Sequence, residues 1–508
     1  NLWNINYNKQ LNNLKLYKNL LSISQYTTDD SSDIFNNLIT IGSSVNNINN
    51  NYISILSEDN LILKKFNINK NKKYIIFQSS FDEYKNFSYL FNQYLKLPDS
   101  IQNEIHLIFA SNIPKYYIEK NNLYHPNLII TGYLTDNEII ILYKYSWLKI
   151  YPSKYEGFGL PVIEAWNNKL PVIVANNTSL KEIMDNSQFT FELNNSSCSN
   201  LIVKLYKNAE LYNECLNHGQ FVKMNYTSDN INIKLILILN NKIIKIDVVL
   251  VVFNNEKWLK YIINKFNRLE KLYNKIIEFE FHIYENNSND NSKQLIKDFM
   301  KNRKGTYLCE NIDKLYKFTN GIDINRGKWM NSVRNKSKIN HGTLTSDYVW
   351  LIDSDVYILD STCLNFIRVL QDKNIAQVSG YCLCKNNEKL PSQLIKDKEN
   401  HYYDSFLFST DKYNYKNTDN TCIFDKCISC KNHRKANNIN IETIKYEGLI
   451  EVKSAFGSMC MIPTNYYNEC NWNEKHGLIE TDHYSFIIDL SKFGKIIIDT
   501  NNISYKKK

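Results

Sequence analysis

From Tyr74 onward, short apolar runs alternate with longer amphipathic ones, and this alternation constrains the fold more than any other feature. The runs Tyr74–Gln78, Ile105–Ala110, Leu128–Gly132, Leu148–Pro152 and Val172–Ala175 read as buried strands. Helical patterns fall between them, over Asn86–Leu97, Asp136–Ser146, Leu160–Asn168 and Ser179–Asp185. Strands alternating with helices predict an α/β fold with a parallel sheet wound on both faces. Ligands of such sheets sit beyond the strand C-termini. Before this region, residues 1–70 are Asn-rich, and only Leu20–Gln25 and Leu38–Ile41 look like short strands. A second alternation starts at Ile246. It reads as a strand over Asp247–Phe253, a helix over Glu256–Leu269 and a strand over Phe279–Glu285. A polar turn over Asn286–Asn291, a helix to about Met300 and a strand over Tyr348–Ile352 follow. The break falls near residue 242, and the two halves do not repeat each other's motifs, so a fusion is expected. A chain of 508 residues exceeds one compact core in any case.

The formal charge of +9 is scattered, with one notable run at Lys506–Lys508. Nucleic-acid binding needs a concentrated patch or stripe, so no nucleic-acid partner is expected. Eleven cysteines is an odd number, nine of them after residue 300. In a chain this long they read as reduced thiols of a cytosol-like compartment, and a cytoplasmic location is expected. Cys427, Cys430 and His433, with Cys422 nearby, resemble half a zinc site, but no second pair completes it; an ordinary polar loop is the alternative. No stretch of 18 apolar residues exists, so no transmembrane segment is expected.

The stretch Glu156-Gly-Phe-Gly-Leu-Pro-Val-Ile-Glu-Ala165 carries the densest chemistry. A strand precedes it, a glycine turn follows Glu156, and Pro161 sits near the start of a helix. Free N–H groups and the dipole at such a helix start attract an anion. Glu156 lies beside that point, and Glu164 about two helical turns further on. A diphosphate with a hydroxyl-rich sugar on each side suits the layout. Read alone, two spaced glutamates are more often surface carboxylates. The full phrase Tyr151–Ala165, with Leu170–Asn176 and Ser179–Glu182, resembles glycosyltransferase family 4, whose GT-B fold pairs two Rossmann-like domains. Ile75–Asn86 and Gly132–Glu138 match further parts of that pattern.

The resemblance implies roles residue by residue. Lys85 would bind the donor diphosphate, and backbone N–H groups of Gly157, Phe158, Gly159 and Leu160 would cradle it. Glu156 would contact the transferred sugar as a catalytic residue, and Glu164 the ribose hydroxyls. No metal is implied in this half. The family's usual Arg before the Lys is lacking in Gln78–Glu83. Residues 1–70 match only the tail of a GT-B N-terminal domain and a linker, leaving 71–242 as the donor-binding domain.

Asp347-Tyr-Val-Trp-Leu-Ile-Asp-Ser-Asp355 is a hydrophobic strand ending in two aspartates. Alternate residues of an extended segment share a face, so Asp353 and Asp355 can reach one hard cation, Mn²⁺ or Mg²⁺. Together with Ile283–Ser292 and Ser332–Asn335, this resembles the GT-A glycosyltransferase fold, an α/β domain with a mixed central sheet, over 245–508. More narrowly, Tyr402–Phe406, Val452–Met459 and Leu478–His483 resemble fungal capsule-associated α-mannosyltransferases. The resemblance implies that Glu285 faces the nucleobase, Arg334 the donor, and Asp353 both metal and donor. Glu480 and Asp482 would stand at the acceptor side as catalytic carboxylates. Competing readings make Glu285 a turn cap and Arg334 a solvated helix residue.

The expectation is a glycosyltransferase fusion. UDP- or GDP-linked sugars would be the donors, and a glycan, polysaccharide or protein hydroxyl the acceptor. Metal dependence would be confined to the second half. One rival is a nucleotide-sugar-binding scaffold whose first half does not turn over. A weaker third, a nucleotidyltransferase, would need a Gly-rich loop that Val251–Glu256 does not have.

Overall fold

The structure is a computed structural model. It describes residues 13–15, 20–35, 37–45, 56–185, 187–194, 196–312, 324–385, 401–402, 449–452, 459–472 and 484–507. Its contacts separate two compact units, with the change in sequence between Asn232 and Ile233.

In the first unit, β1 (Leu20–Ser22) and β2 (Leu38–Thr40) form a small parallel pair around the helix Gln25–Asp30. Six further parallel strands make the main sheet: β3 (Lys73–Gln78), β4 (Ile105–Ala110), β5 (Leu128–Ile130), β6 (Leu148–Tyr151), β7 (Val172–Ala175) and β8 (Thr190–Phe191). Their order is β5-β4-β3-β6-β7-β8. Residues of β6 and β7 are buried throughout, and apart from Lys149 these strands read as continuous apolar runs for that reason. The intervening helices have identifiable starts. Thr135 and Glu138 form a reciprocal capping box ahead of the helix Asp136–Tyr145, and Pro161 occupies the first turn of the helix Leu160–Asn167. The chain runs outward from β3 to β5, then returns to the other side of β3 as β6. The crevice between the C-terminal ends of β3 and β6 is therefore the point where strand order reverses, the place where such sheets bind ligands.

The second unit repeats this logic with a mixed sheet. Its strands are β9 (Ile244–Val252), β10 (Ile277–Asn286), β11 (Gly305–Glu310), β12 (Tyr348–Asp353), β13 (Val356–Tyr357), β14 (Ile375–Lys385), β15 (His401–Tyr402), β16 (Leu449–Val452), β17 (Met459–Pro463) and β18 (Lys495–Lys507). The main path runs β11-β10-β9-β12-β17-β14-β18-β13. Strands β9 to β12 pair in parallel, while β17 runs antiparallel to both β12 and β14. The helix Glu256–Tyr273 buries Leu259, Ile262, Phe266 and Leu269 on one face, the spacing of an amphipathic helix laid on a sheet. Phe266 meets Phe281 and Trp350 edge to face at 5.1 and 5.6 Å. Here strand order reverses between β9 and β12, so the loops after those strands face one crevice.

The expected strands and helices of both halves are present, with ends shifted by one to four residues. The helix Glu256–Tyr273 continues past Leu269, and β9 begins at Ile244. The helices Leu56–Lys65, Lys115–Lys120, Ser197–Lys207, Ala209–Val222 and Ser228–Leu239, and the strands from β14 on, are additions to the sequence reading.

Candidate donor sites at two strand crossings

In the first unit the loops after β3 and β6 meet. Lys85 closes a short 3₁₀ turn, Glu83–Lys85, followed by Asn86 in the left-handed region at φ 69°. Its ammonium lies 2.6 Å from Glu156 Oε1, and both side chains are nine-tenths buried. Lys85 Nζ also donates to the Tyr151 hydroxyl at 3.4 Å. The two residues are 71 positions apart in sequence, and the switch in strand order brings them together.

The loop that follows is anchored through its carbonyls. Ser179 Oγ serves the carbonyl oxygens of Glu156 (2.8 Å) and Phe158 (2.9 Å). Ser24 Oγ and Thr27 Oγ1 both donate to the carbonyl of Gly157, at 2.7 and 3.1 Å. The main-chain N–H of Glu156 donates to Thr178 Oγ1. Among the described residues no peptide bond is cis. In a trans peptide the N–H points opposite to the preceding C=O. The N–H groups of Gly157, Phe158 and Gly159 therefore face away from the hydroxyls that hold the carbonyls before them. Leu160 then opens the helix; Pro161 has no N–H and Val162 donates to the Gly159 carbonyl at 2.9 Å, so the Leu160 N–H is the donor this helix start leaves without an intrahelical acceptor. Carbonyls tied back leave these amides as the kind of donors an anion can meet. Thr178, a β-branched residue at φ 45°, bears strain in holding this arrangement, a cost of about 1–3 kcal/mol.

Gly159 caps the helix at φ 111°. A Cβ there would come within 3.0 Å of Leu180 and 3.2 Å of Ile183, whereas one at Gly157 would meet Ile23 at an ordinary 3.4 Å. Gly159→Ala is expected to cost roughly 1–3 kcal/mol from backbone strain alone. Gly157→Ala should melt close to the parent. Thermal unfolding of the two variants checks this, and equal melting temperatures would contradict it.

Glu164 is half-buried on the helix Leu160–Asn167. Close to it lies a group that the sequence reading passed over. Lys149, on β6, is fully buried. Its Nζ donates to the Tyr143 hydroxyl and, at 3.3 Å, to Gln78 Oε1. Tyr143 donates to the same oxygen at 3.0 Å. The Tyr151 ring has Lys149 Nζ 5.8 Å and Lys85 Nζ 5.6 Å from its centre. Burial pushes the Lys149 ammonium down to about 7, with the charge of Glu164 acting against that fall. Burial, with the charge of Glu164 adding to it, raises the Tyr143 hydroxyl well above its ordinary range.

In the second unit the loops after β9 and β10 are laced together. Asn254, at φ 44°, donates its N–H to Ser288 Oγ and accepts the N–H of Asn289 at 2.7 Å. The N–H of Glu256 donates to Asp290 Oδ2 at 2.8 Å. Burial works to raise the Asp290 carboxyl, but donors from Ser292 and Glu256 outweigh it and hold the group below its usual range. The loop after β12 joins this lattice through Asn255 Nδ2, which donates to Ser354 Oγ at 2.8 Å. Between the loops opens a cleft of about 620 Å³, lined among others by Asn254, Asn255, Trp258, Asp290 and Asp355.

Asp353 and Asp355 stand at the C-terminal end of β12, on either side of Ser354. Arg334, on the helix Ile324–His341, lies 3.5 Å from Asp353 and packs over Trp472 at 5.1 Å. Glu285 is fully buried at the end of β10. Its Oε1 accepts the N–H of Ser288 at 2.6 Å, so it does cap the turn, and Lys293 Nζ lies 3.9 Å from Oε2. Glu480, Asp482, Cys422, Cys427, Cys430 and His433 lie outside the described residues.

Residues 58–220 match the family described as Glycosyl transferases group 1, and residues 247–432 match Glycosyl transferase family 2. The chain thus carries a group 1 domain, of GT-B type, followed by a family 2 domain, of GT-A type. It is 31% identical over 119 residues to a serotype-specific mannosyltransferase, WbdA, of Escherichia coli, covering 22% of this chain and 15% of that protein. It is 45% identical over 53 residues to O-antigen chain mannosyltransferase B of Escherichia coli, covering 10% of this chain and 14% of that one. The chain thus spans about a seventh of the length of these curated relatives. A glycosyltransferase structure from Rickettsia africae aligns at a TM-score of 0.37 with 19% identity, covering 44% of this chain and 62% of that one. Among the described residues no helix is long and apolar enough to cross a membrane.

Proposed function

We propose that each domain binds a nucleotide sugar, UDP- or GDP-linked, at its strand-order crossing and passes the sugar to a hydroxyl of a glycan or protein acceptor. The observation that carries this reading is the buried Lys85–Glu156 pair beside a loop whose carbonyls are tied back by hydroxyls. In the first domain the outward amides of Gly157 to Leu160 receive the diphosphate, Lys85 neutralises it, and Glu164 accepts from the ribose. Glu156 meets the transferred sugar. The leaving nucleotide is stabilised by fixed dipoles and a cation in place before the reaction, which is electrostatic catalysis without reorganisation.

In the second domain the acidic oxygen donors Asp353 and Asp355, at the mouth of a polar cleft, suit a hard divalent cation. Mn²⁺ or Mg²⁺ held there would neutralise charge on the leaving diphosphate. Arg334 adds a fixed cation next to Asp353. Asp290 and Asn254 order the loop against which the nucleoside packs. The carboxylates Glu480 and Asp482 serve the acceptor hydroxyl. Mannose is the sugar we favour, from the names of the relatives and the likeness of the second domain to fungal α-mannosyltransferases.

Nucleotide-sugar hydrolysis measured with Mn²⁺ and with chelator tests the assignment. Metal-dependent turnover should be lost in Asp355→Ala, and metal-independent turnover in Glu164→Ala. Unchanged metal-dependent turnover in Asp355→Ala would sink the second assignment. A second reading, in which the first domain only binds nucleotide sugar, is favoured by Lys85 being the sole cation of the loop 78–86. Calorimetric binding without turnover in Asp355→Ala would select it.

A further inference from the structure

We propose that Lys149 is a positioning residue of the first donor site, a buried cation that answers the negative charge of a bound nucleotide sugar. The inference rests on the donor-site reading above. Lys149 occupies the middle of a strand whose every residue is buried. Among the described residues no carboxylate stands within ion-pair distance of its ammonium. It is held by two neutral groups, the Tyr143 hydroxyl and Gln78 Oε1. A buried, incompletely compensated ammonium is unfavourable for the fold. An apolar side chain of the same length would serve a β-strand core better.

The surroundings explain what the position can do. Gln78 is the last residue of β3, where the loop bearing Lys85 begins. Tyr151 is the last residue of β6, where the loop bearing Glu156 begins. Lys149 touches the first and shares the ring of the second with Lys85. The titratable and charged groups around it are Tyr143 from the helix Asp136–Tyr145, Tyr151 from its own strand and Glu164 from the helix Leu160–Asn167. The Lys85–Glu156 pair meets Tyr151 at its hydroxyl. The loop 78–86 contributes only one cation to a diphosphate, and Lys149 supplies a second through a buried medium that screens it little.

A charge that favours an anionic ligand has a measurable consequence. Burial lowers the Lys149 ammonium to about 7, so at pH 8 the free protein has room to take up a proton there. A bound dianion favours the charged form, and binding then draws a proton from solution. The probe is a UDP- or GDP-sugar, whose diphosphate diester has no ionisation near neutral pH. Calorimetry at pH 8 in two buffers of different ionisation enthalpy should show proton uptake by the parent. It should show none by Lys149→Met, with affinity at pH 7 at least tenfold weaker. Thermal unfolding of Lys149→Met should be no earlier than that of the parent. Glu164→Gln serves as the reference for the site itself. If Glu164→Gln weakens binding while Lys149→Met binds like the parent, the proposal fails and the donor-site reading stands. If neither substitution changes binding, the donor-site reading fails with it. Should Lys149→Met not fold, absence of proton uptake by the parent would by itself overturn the proposal.

Discussion

Asp360→Ala is expected to destabilise the second unit by about 3–5 kcal/mol, the usual consequence of removing one member of a buried ion pair. Asp360 Oδ1 lies 2.8 Å from Lys265 Nζ and Oδ2 lies 2.7 Å from Arg268 Nε. Lys265 and Asp360 are almost completely buried, and Arg268 is about a quarter exposed. The Asp360 carbonyl accepts from the Tyr273 hydroxyl at 2.7 Å, which fixes the chain there whatever the side chain is. Without the carboxylate, the buried Lys265 loses its ion pair with Asp360. For a unit of this size the melting temperature should fall by roughly 10 °C. The double variant Asp360→Ala/Lys265→Met should recover most of the loss, since the more deeply buried cation is removed with the carboxylate and Arg268 is about a quarter exposed. A melting curve for each variant decides the matter; a double variant no better than the single would show that packing, not charge, is responsible.

The same triad predicts an acid limit. Burial works to raise the Asp360 carboxyl, but Arg268 and Lys265 outweigh it and hold the group well below the carboxylate range. A group whose folded pKa lies below its unfolded value of about 4 contributes stability above that pH, lost as pH falls towards the folded value. Asp360→Asn should therefore show a shallower loss of stability below about pH 4 than the parent.

What could be read from the sequence follows from how each element is buried. Strands β3, β4, β6 and β7 are buried almost throughout, so their residues are mostly apolar and stand out. The loop Glu156–Leu160 was legible because a glycine turn and a proline-started helix have local signatures. Lys149 was not. A lysine between Leu148 and Ile150 reads as the outward residue of an alternating strand, and only a helix on the second face shows it to be buried. The hydroxyls of Ser24, Thr27 and Ser179 were equally silent, since which carbonyl a hydroxyl meets is decided by tertiary structure. Strands β14 to β18 were missed because their places depend on pairings far apart in the chain, such as Val378 with Met461 and with Ile497. Glu285 was legible as a position. Its burial and its bond to Ser288 required coordinates.

The Lys85–Glu156 pair carries the second large prediction, because its two members should fail differently. In the nucleotide-free protein each neutralises the other across 2.6 Å in a site nearly closed to water. Lys85→Ala leaves Glu156 as an anion without its ion-pair partner at the proposed diphosphate site. Loss of a charge-assisted contact and gain of repulsion then act together. Affinity for a nucleotide sugar should fall by about a hundredfold, some 2.7 kcal/mol. Glu156→Gln does the opposite to the field. It frees the ammonium to meet a diphosphate, so nucleotide binding should hold or tighten, while sugar turnover should fall with loss of the carboxylate proposed to face the sugar. Uniform binding and transition-state stabilisation would thus separate between two side chains in contact. Calorimetry with UDP and GDP, set beside donor hydrolysis, reads both quantities. Equal loss of affinity in the two variants would mean that the pair is a structural tie between the loops after β3 and β6. Parent-like binding by Lys85→Ala would remove the diphosphate from this crevice altogether.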